Sequence, residues 1–267
     1  MSNAYVHGYS AAEQVRLTRQ AHILAEFIHS RAIFPPGSRI LEAGCGVGAQ
    51  TTQLASRNPQ ASFVAVDRSA DSLRIAQQRV AVYALGNVAF QVADINRLPF
   101  RDAEFDGAFL CFVLEHLSSR EQALGEIRRV LRPGAKIHVF EGDHGSVLAW
   151  PDEPAIGRLV AAVSRHQCLQ GGDPYIGRRL CPILSESGFQ NVRVEPCVGY
   201  ADATRPEWID GFTRATFMDM MQSQRETVLE RGLMTDLEWR DGIEALGRTT
   251  ASDGSFCYTF FRATADR

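Results

Sequence analysis

The chain has 267 residues, a formal net charge of -3 and an apolar share of 45%. That length suits one large α/β domain with room for an inserted cap, and the apolar share permits a sizeable core. A charge this close to neutral gives no electrostatic ground for a nucleic-acid partner.

The elements follow in chain order. Residues 11–32 place Val15, Leu17, Ala21, Leu24, Ala25 and Ile28 at spacings of three and four, which predicts a helix. Pro35-Pro36-Gly37 breaks it. Short apolar runs then alternate with helical patterns: strand Ser38–Ala43, helix Gly48–Arg57, strand Ser62–Val66, helix Asp71–Val82, and strands Val88–Val92 and Phe105–Phe112. Arg120–Leu131 reads as a helix ended by Pro133-Gly134, and Lys136–Glu141 as a fifth strand. Such β-α-β alternation predicts a mostly parallel sheet with helices on both faces. After Gly142 the rhythm changes. Residues 145–175 hold two helical pieces, Ile176–Ser187 reads as a helix closed by Gly188, and Val192–Val198 as a strand. Residues 205–248 are largely helical, and Ser255–Arg262 alternates as a closing strand. The expectation is a Rossmann-like, seven-stranded, mostly parallel sheet with an antiparallel last strand and a helical cap. It forms one domain: an N-terminal helical lid (1–34), a cofactor-binding core (35–144), cap segments (145–175 and 200–250) and the closing strand (251–267).

The strand Arg39-Ile40-Leu41-Glu42-Ala43 runs into Gly44-Cys45-Gly46-Val47-Gly48. Ligands of open α/β sheets bind at the carboxyl ends of strands, and glycines let a ligand approach the backbone. The helix start near Gly48 favours negative charge. Gly44, Gly46 and Ala49 also satisfy a dinucleotide pattern. Asp67, at the end of the next strand, can grip a ribose diol, which NAD and S-adenosylmethionine share.

Three features favour the methyl donor. Glu42 sits two positions before the first glycine, where it can accept from a ligand ammonium and would be poorly placed beside a pyrophosphate. Asp94-Ile95 ends the third strand, and can hydrogen-bond an adenine amino group while packing on the ring. The fourth strand ends in Leu114-Glu115-His116-Leu117.

These residues, together with Phe105-Asp106 and Leu131-Arg132-Pro133-Gly134, resemble the successive motifs of class I S-adenosylmethionine-dependent methyltransferases, in the small-molecule branch that includes ubiquinone/menaquinone-type enzymes. The resemblance covers about residues 36–142, and departs from the family at Ala135, where a second glycine is usual. The stretch Tyr5-Val6-His7-Gly8-Tyr9 with Glu13, Arg16, Leu17 and Gln20 resembles a subgroup that names no substrate. The resemblance implies S-adenosyl-L-methionine as cofactor and S-adenosyl-L-homocysteine as product. It implies Gly44, Cys45, Gly46 and Gly48 along the methionine and ribose, Asp67 on the ribose hydroxyls, and Arg68 beside the adenine. Asp94 and Ile95 would hold the adenine, and Cys111 and Phe112 would lie near the sulfonium. Tyr9 or Arg16 would reach the cofactor carboxylate.

A base is needed only if the acceptor arrives protonated. Glu115, His116, Glu141, Asp143 and His144 sit at the ends of strands four and five. His144 is the first choice, because imidazole changes charge near neutral pH; Glu141 and His116 are the other candidates. The Trp, Phe and Met of residues 205–248 fit an aromatic or apolar small-molecule acceptor. The rival readings are an NAD(P)-dependent oxidoreductase and a non-catalytic S-adenosylmethionine-binding regulator. Six cysteines without a CxxC pair or zinc spacing suggest reduced thiols and no metal. No apolar stretch approaches the roughly 18 residues of a membrane span, and no secretory pattern opens the chain. The expectation is a cytoplasmic monomer or homodimer with no membrane or nucleic-acid partner.

Overall fold

Helices α1 (Ala11–Ile23) and α2 (Ala25–His29) precede β1 (Arg39–Ala43), the first strand of a computed structural model that describes residues 11–267. Then come α3 (Ala49–Arg57), β2 (Ser62–Asp67), α4 (Ala70–Val82), β3 (Val88–Val92), β4 (Phe105–Cys111), α5 (Arg120–Val130) and β5 (Leu131–Gly142). Strands β1, β2, β3, β4 and β5 pair in parallel, and β1 and β2 are buried along nearly their whole length. Near-continuous apolar runs are what a parallel sheet covered on both faces requires. The rest of the chain supplies β6 (Leu148–Trp150), α6 (Pro154–Leu169), α7 (Leu180–Glu186), β7 (Gln190–Asp202), α8 (Pro206–Trp208), a π-helix (Ile209–Met218), α9 (Asp219–Ser223), α10 (Arg225–Glu230), α11 (Asp236–Arg248) and β8 (Ser255–Asp266). Among the described residues the sheet has eight strands, in the order β3-β2-β1-β4-β5-β8-β6, with β7 paired to β8. β6 and β8 are antiparallel.

The Rossmann-like fold expected from the sequence is therefore present, with local corrections. The sheet gains an eighth strand, β6, whose three residues are too short to show an alternating pattern. The helix expected to run to Leu131 ends at Val130, because Leu131 pairs with Phe105 as the first residue of β5. Pro133 and Gly134 thus lie inside that strand assignment, at its irregular start, where the register shifts and Gly134 has φ +79°. The helix expected over Ile176–Ser187 is a 3-10 turn (Ile176–Arg179) followed by α7. Pro182 falls in the first turn of α7, where its missing N–H leaves no intrahelical bond unmade. The N-terminal helix breaks at Leu24.

The residues divide into two units by their contacts. A core unit holds Leu24–Glu141, Gly177–Pro196 and Phe261–Arg267. Within it α4 buries Leu73, Ala76 and Val80 on one face, and Ser69 caps the helix by accepting from the Ser72 amide at 3.1 Å. α5 buries Ala123, Leu124, Ile127 and Val130 at helical spacing. The Arg129 guanidinium ties the connection before β4 by bonding the Leu98 and Phe100 carbonyls and the Asp102 and Glu126 carboxylates.

A helical unit holds Gly142–Ile176, Cys197–Phe260 and the described part of Met1–Ile23. Phe212, Phe217, Phe256, Tyr258 and Phe260 form one ring cluster there, with centroid separations between 4.8 and 6.0 Å. Thr235 and Glu238 close α11 with a reciprocal capping box. α6 and α11 pack at Gly242, where a Cβ would stand 2.9 Å from Leu159 Cβ and 3.2 Å from the Ala155 carbonyl oxygen. Arg248 of α11 binds Glu153 before α6 through two bonds of 2.6 and 2.5 Å. A methyl group at Gly242 has no space, and overpacking of this kind costs about 1–3 kcal/mol. Gly242→Ala is expected to lower the melting temperature by several degrees in a thermal melt; an unchanged melting temperature would show that the two helices part without cost.

Candidate functional site

The glycine turn of the core unit is built by three different constraints on three glycines. All have left-handed backbones: φ is +75° at Gly44, +52° at Gly46 and +74° at Gly48. Any side chain at these positions is strained. A Cβ on Gly44 would stand 2.7 Å from Val113 Cγ2, and one on Gly48 would stand 2.8 Å from Ala76 Cβ. Those two glycines let the Val113 side chain and Ala76 pack against the turn. A Cβ on Gly46 would meet nothing within 4 Å. Gly46 therefore faces open space, as a position approached by a ligand must.

Asp67 holds the turn open. Its Oδ2 accepts from the Gly46 amide at 2.9 Å, and its Oδ1 accepts from the Ser69 amide at 2.9 Å. The amides of Gly44 and Cys45 donate to the Val66 carbonyl at 2.8 and 3.0 Å. One carboxylate thus links the turn after β1 to the turn after β2. Each carboxylate oxygen has a second lone pair, so Asp67 keeps acceptor capacity for a diol. Arg68 is exposed beside it. Ala93 donates to the Asp67 carbonyl at 3.0 Å, which brings the end of β3 to the same edge. There Asp94 is exposed, and its Oδ1 accepts from the Asn96 amide at 2.9 Å; Ile95 is half-buried.

Glu42 is 2% exposed, and its Oε2 has no hydrogen-bond partner among the described residues. Burial, the largest influence, raises its pKa to about 7; Asp67 adds to the rise and the Thr51 hydroxyl opposes it. A buried carboxylate oxygen without a partner is costly, and a cationic donor would relieve that cost. The N-terminus of α3, capped by Gly48 without a side-chain bond, offers backbone amides to an anion. An amino acid's ammonium and carboxylate, a ribose and an open backbone approach each have a counterpart here, so this donor set fits S-adenosylmethionine.

The structure distributes the remaining expected residues unevenly. The Cys45 side chain packs with Ala65 and Leu73, against Val88 and Phe90, so only its backbone belongs to the turn. Cys111 ends β4, and Phe112 follows it. Burial pushes the Cys111 thiol well up, with Glu141, Glu42 and Glu115 adding to the rise. Phe112 has φ +56°, rare for a bulky residue, and its ring meets Phe140 edge-on at 5.6 Å. Glu141 is fully buried, and its Oε1 accepts from the amides of Val113 and Leu114 at 2.9 and 2.7 Å. Burial raises its pKa well above the usual carboxylate range, and Glu115 reinforces that. His116 Nε2 lies 3.6 Å from Glu115 Oε1.

His144 belongs to the helical unit, 5% exposed, with Nδ1 at 2.8 Å from the Tyr258 hydroxyl. Arg16 is also in that unit, buried, and bonds Gln20 at 3.1 Å. Tyr9 lies outside the described residues. Sequence reading did not single out Ser69, Val113, Gly142 or Tyr258. The partners of Val113, Gly142 and Tyr258 are distant in sequence, and no local pattern marks them; Ser69 bonds locally, to Asp67 and Ser72.

The methyltransferase domain family matches residues 41–139. The chain is 36% identical over 176 residues to the O-methyltransferase rstn1 of Aspergillus nomiae, covering 66% of this chain and 71% of that one. It is 33% identical over 111 residues to the ubiquinone/menaquinone biosynthesis C-methyltransferase UbiE of Geotalea daltonii, covering 40% of this chain and 47% of that one. Among solved structures, a Bacillus halodurans protein shares the fold with a TM-score of 0.60 at 16% identity, covering 91% of this chain and 97% of that one. The chain spans 58 to 66% of the length of three further O-methyltransferases that it matches. The chain belongs to the class I S-adenosylmethionine-dependent methyltransferases.

Glu42 gives the site a pH signature. Its raised pKa means that its contribution to folding is present below the ordinary Glu range and is lost as pH rises through about 7. An ammonium bound beside Glu42 would favour the carboxylate, and its binding would then release that proton. S-adenosylhomocysteine affinity, measured by calorimetry, is expected to rise about tenfold between about pH 6 and about pH 8. Glu42→Gln is expected to flatten the profile. A steep profile in the variant would assign the titration elsewhere.

Proposed function

We propose that this protein transfers the methyl group of S-adenosylmethionine to a small, aromatic or apolar acceptor. The observation that carries this reading is the buried Glu42 carboxylate, with an unpartnered oxygen, at the head of a glycine turn held open by Asp67. The bound cofactor supplies a methyl group already activated by a positive sulfur. The residues of this chain then have to bind, orient and exclude water.

Glu42 would accept from the ammonium, and the first amides of α3 would take the carboxylate. The spare lone pairs of Asp67 would hold the ribose hydroxyls. Asp94 would accept from the adenine amino group, Ile95 would pack on the ring and Arg68 would border it. Arg16 and Tyr9 remain proposals for the cofactor carboxylate. The strained backbone of Phe112 supports a place for Cys111 and Phe112 beside the sulfonium, because such strain collects at functional sites. Glu141 already spends Oε1 on two loop amides, which favours positioning of the β4 end over proton transfer. His144 is the group we assign to take a proton from the acceptor, with His116 second. The ring cluster of the helical unit supports an aromatic or apolar acceptor. We read the chain as one methyltransferase domain acting in the cytoplasm, as a monomer or homodimer; six free cysteines suit a reducing compartment. No described helix is long and apolar enough to cross a membrane.

The test is incubation of the protein with a cell extract and methyl-labelled S-adenosylmethionine, followed by mass spectrometry. The expected result is label in a low-molecular-weight aromatic or apolar product. Label confined to protein or nucleic acid would overturn the small-molecule reading.

A further inference from the structure

The turn that follows β5 is fixed to β8 through Ser146. The Thr259 amide donates to Ser146 Oγ at 2.8 Å, and Ser146 Oγ donates to the Asp143 carbonyl at 2.6 Å. The His144 amide donates to the Pro174 carbonyl at 2.8 Å. The turn backbone is therefore pinned on both sides of the His144 ring, one residue along β8 from Tyr258.

Tyr258 itself is 3% exposed and walled by Phe212, Phe217 and Phe260, at centroid distances of 6.0, 5.5 and 4.8 Å. Phe217 also meets the His144 ring edge-on at 6.4 Å. The phenol ring is enclosed by these rings, with its hydroxyl 2.8 Å from His144 Nδ1. Gly142 completes the arrangement. A Cβ there would stand 2.5 Å from the Tyr258 hydroxyl oxygen. The hydroxyl can reach His144 only because residue 142 has no side chain. Gly142 and His144 on one turn and Tyr258, 114 residues further on, thus serve one hydrogen bond between two buried polar groups.

We propose that Tyr258 is a positioning residue that selects the tautomer of His144. Its hydroxyl oxygen accepts from Nδ1–H, which makes Nε2 the nitrogen with the lone pair. Which imidazole nitrogen is left with the lone pair is set by the hydrogen bond that the other ring nitrogen makes. This rests on the assignment of His144 as the proton acceptor. In the step, the nucleophilic atom of the acceptor forms its bond to the methyl carbon and gives its proton to Nε2. The S–CH3 bonding pair stays on sulfur, which becomes neutral. The imidazolium so formed keeps Nδ1–H on the Tyr258 oxygen.

The experiment uses full-length protein labelled with 15N in histidine and loaded with S-adenosylhomocysteine. The His144 ring nitrogens are assigned by loss of their signals in His144→Gln. In the wild type, Nδ1 is expected to carry the proton. Tyr258→Phe keeps the ring and removes the hydroxyl; Gly142→Ala keeps the hydroxyl and displaces it. Both are expected to move the proton to Nε2 and to lower label transfer into the extract's small molecules by about tenfold, less than the loss from His144→Gln. A wild-type signal with the proton on Nε2, or an unchanged tautomer in both folded variants, overturns the positioning role. Undiminished transfer by His144→Gln instead overturns the base assignment on which it rests.

Discussion

One carboxylate ties together the two turns on which the proposed ligand site rests. Asp67 bonds the Gly46 amide on one side and the Ser69 amide on the other, at 2.9 Å each. The first bond fixes the turn after β1, and the second fixes the turn after β2, from which α4 starts with Ser69 as its cap. Charge-assisted bonds to backbone amides are among the stronger hydrogen bonds available to a chain. Because both run through one residue, the two turns form one ledge. Gly46 then has empty space where a side chain would stand, and Glu42 lies buried at its back.

A second carboxylate does similar work at the neighbouring strand end. Glu141 takes the amides of Val113 and Leu114, which places the Val113 side chain against Gly44. The lack of a side chain at Gly44 and the buried acid on β5 are thus two ends of one packing constraint. It also accounts for the tight bend at Phe112, whose positive φ lets the chain leave β4 at once. In both places acidic residues order backbone, and the ligand chemistry follows from that order.

Much of this was legible in the sequence, for physical reasons. The β-α-β alternation showed because a sheet covered on both faces needs continuous apolar strands, and Ile40-Leu41 or Phe63-Val64-Ala65-Val66 can hardly read otherwise. The glycine spacing and Asp67 showed because they are local to strand ends. What stayed hidden depended on distant partners. β6 is three residues long, and exists by pairing with Phe256 and its neighbours. Leu131 leaves its helix for a bond register set by Phe105, against its own apolar periodicity. Glu141 looked like a possible base, and only the structure shows two amides on its oxygen. The Tyr258 hydroxyl could not be linked to His144 from a sequence in which they stand so far apart. The π-helix of Ile209–Met218 likewise shows an ordinary helical pattern in its residues.

The most direct test of the account is calorimetric binding of S-adenosylhomocysteine to Asp67→Asn, with melting temperature as the control. An amide at this position is nearly isosteric, but offers one acceptor oxygen where two amides and a diol must be met. The account predicts an affinity loss of about 100-fold, equivalent to about 3 kcal/mol, with the fold retained. An affinity within about threefold of wild type in the folded variant would contradict the claim that Asp67 both holds the turn and grips the ligand.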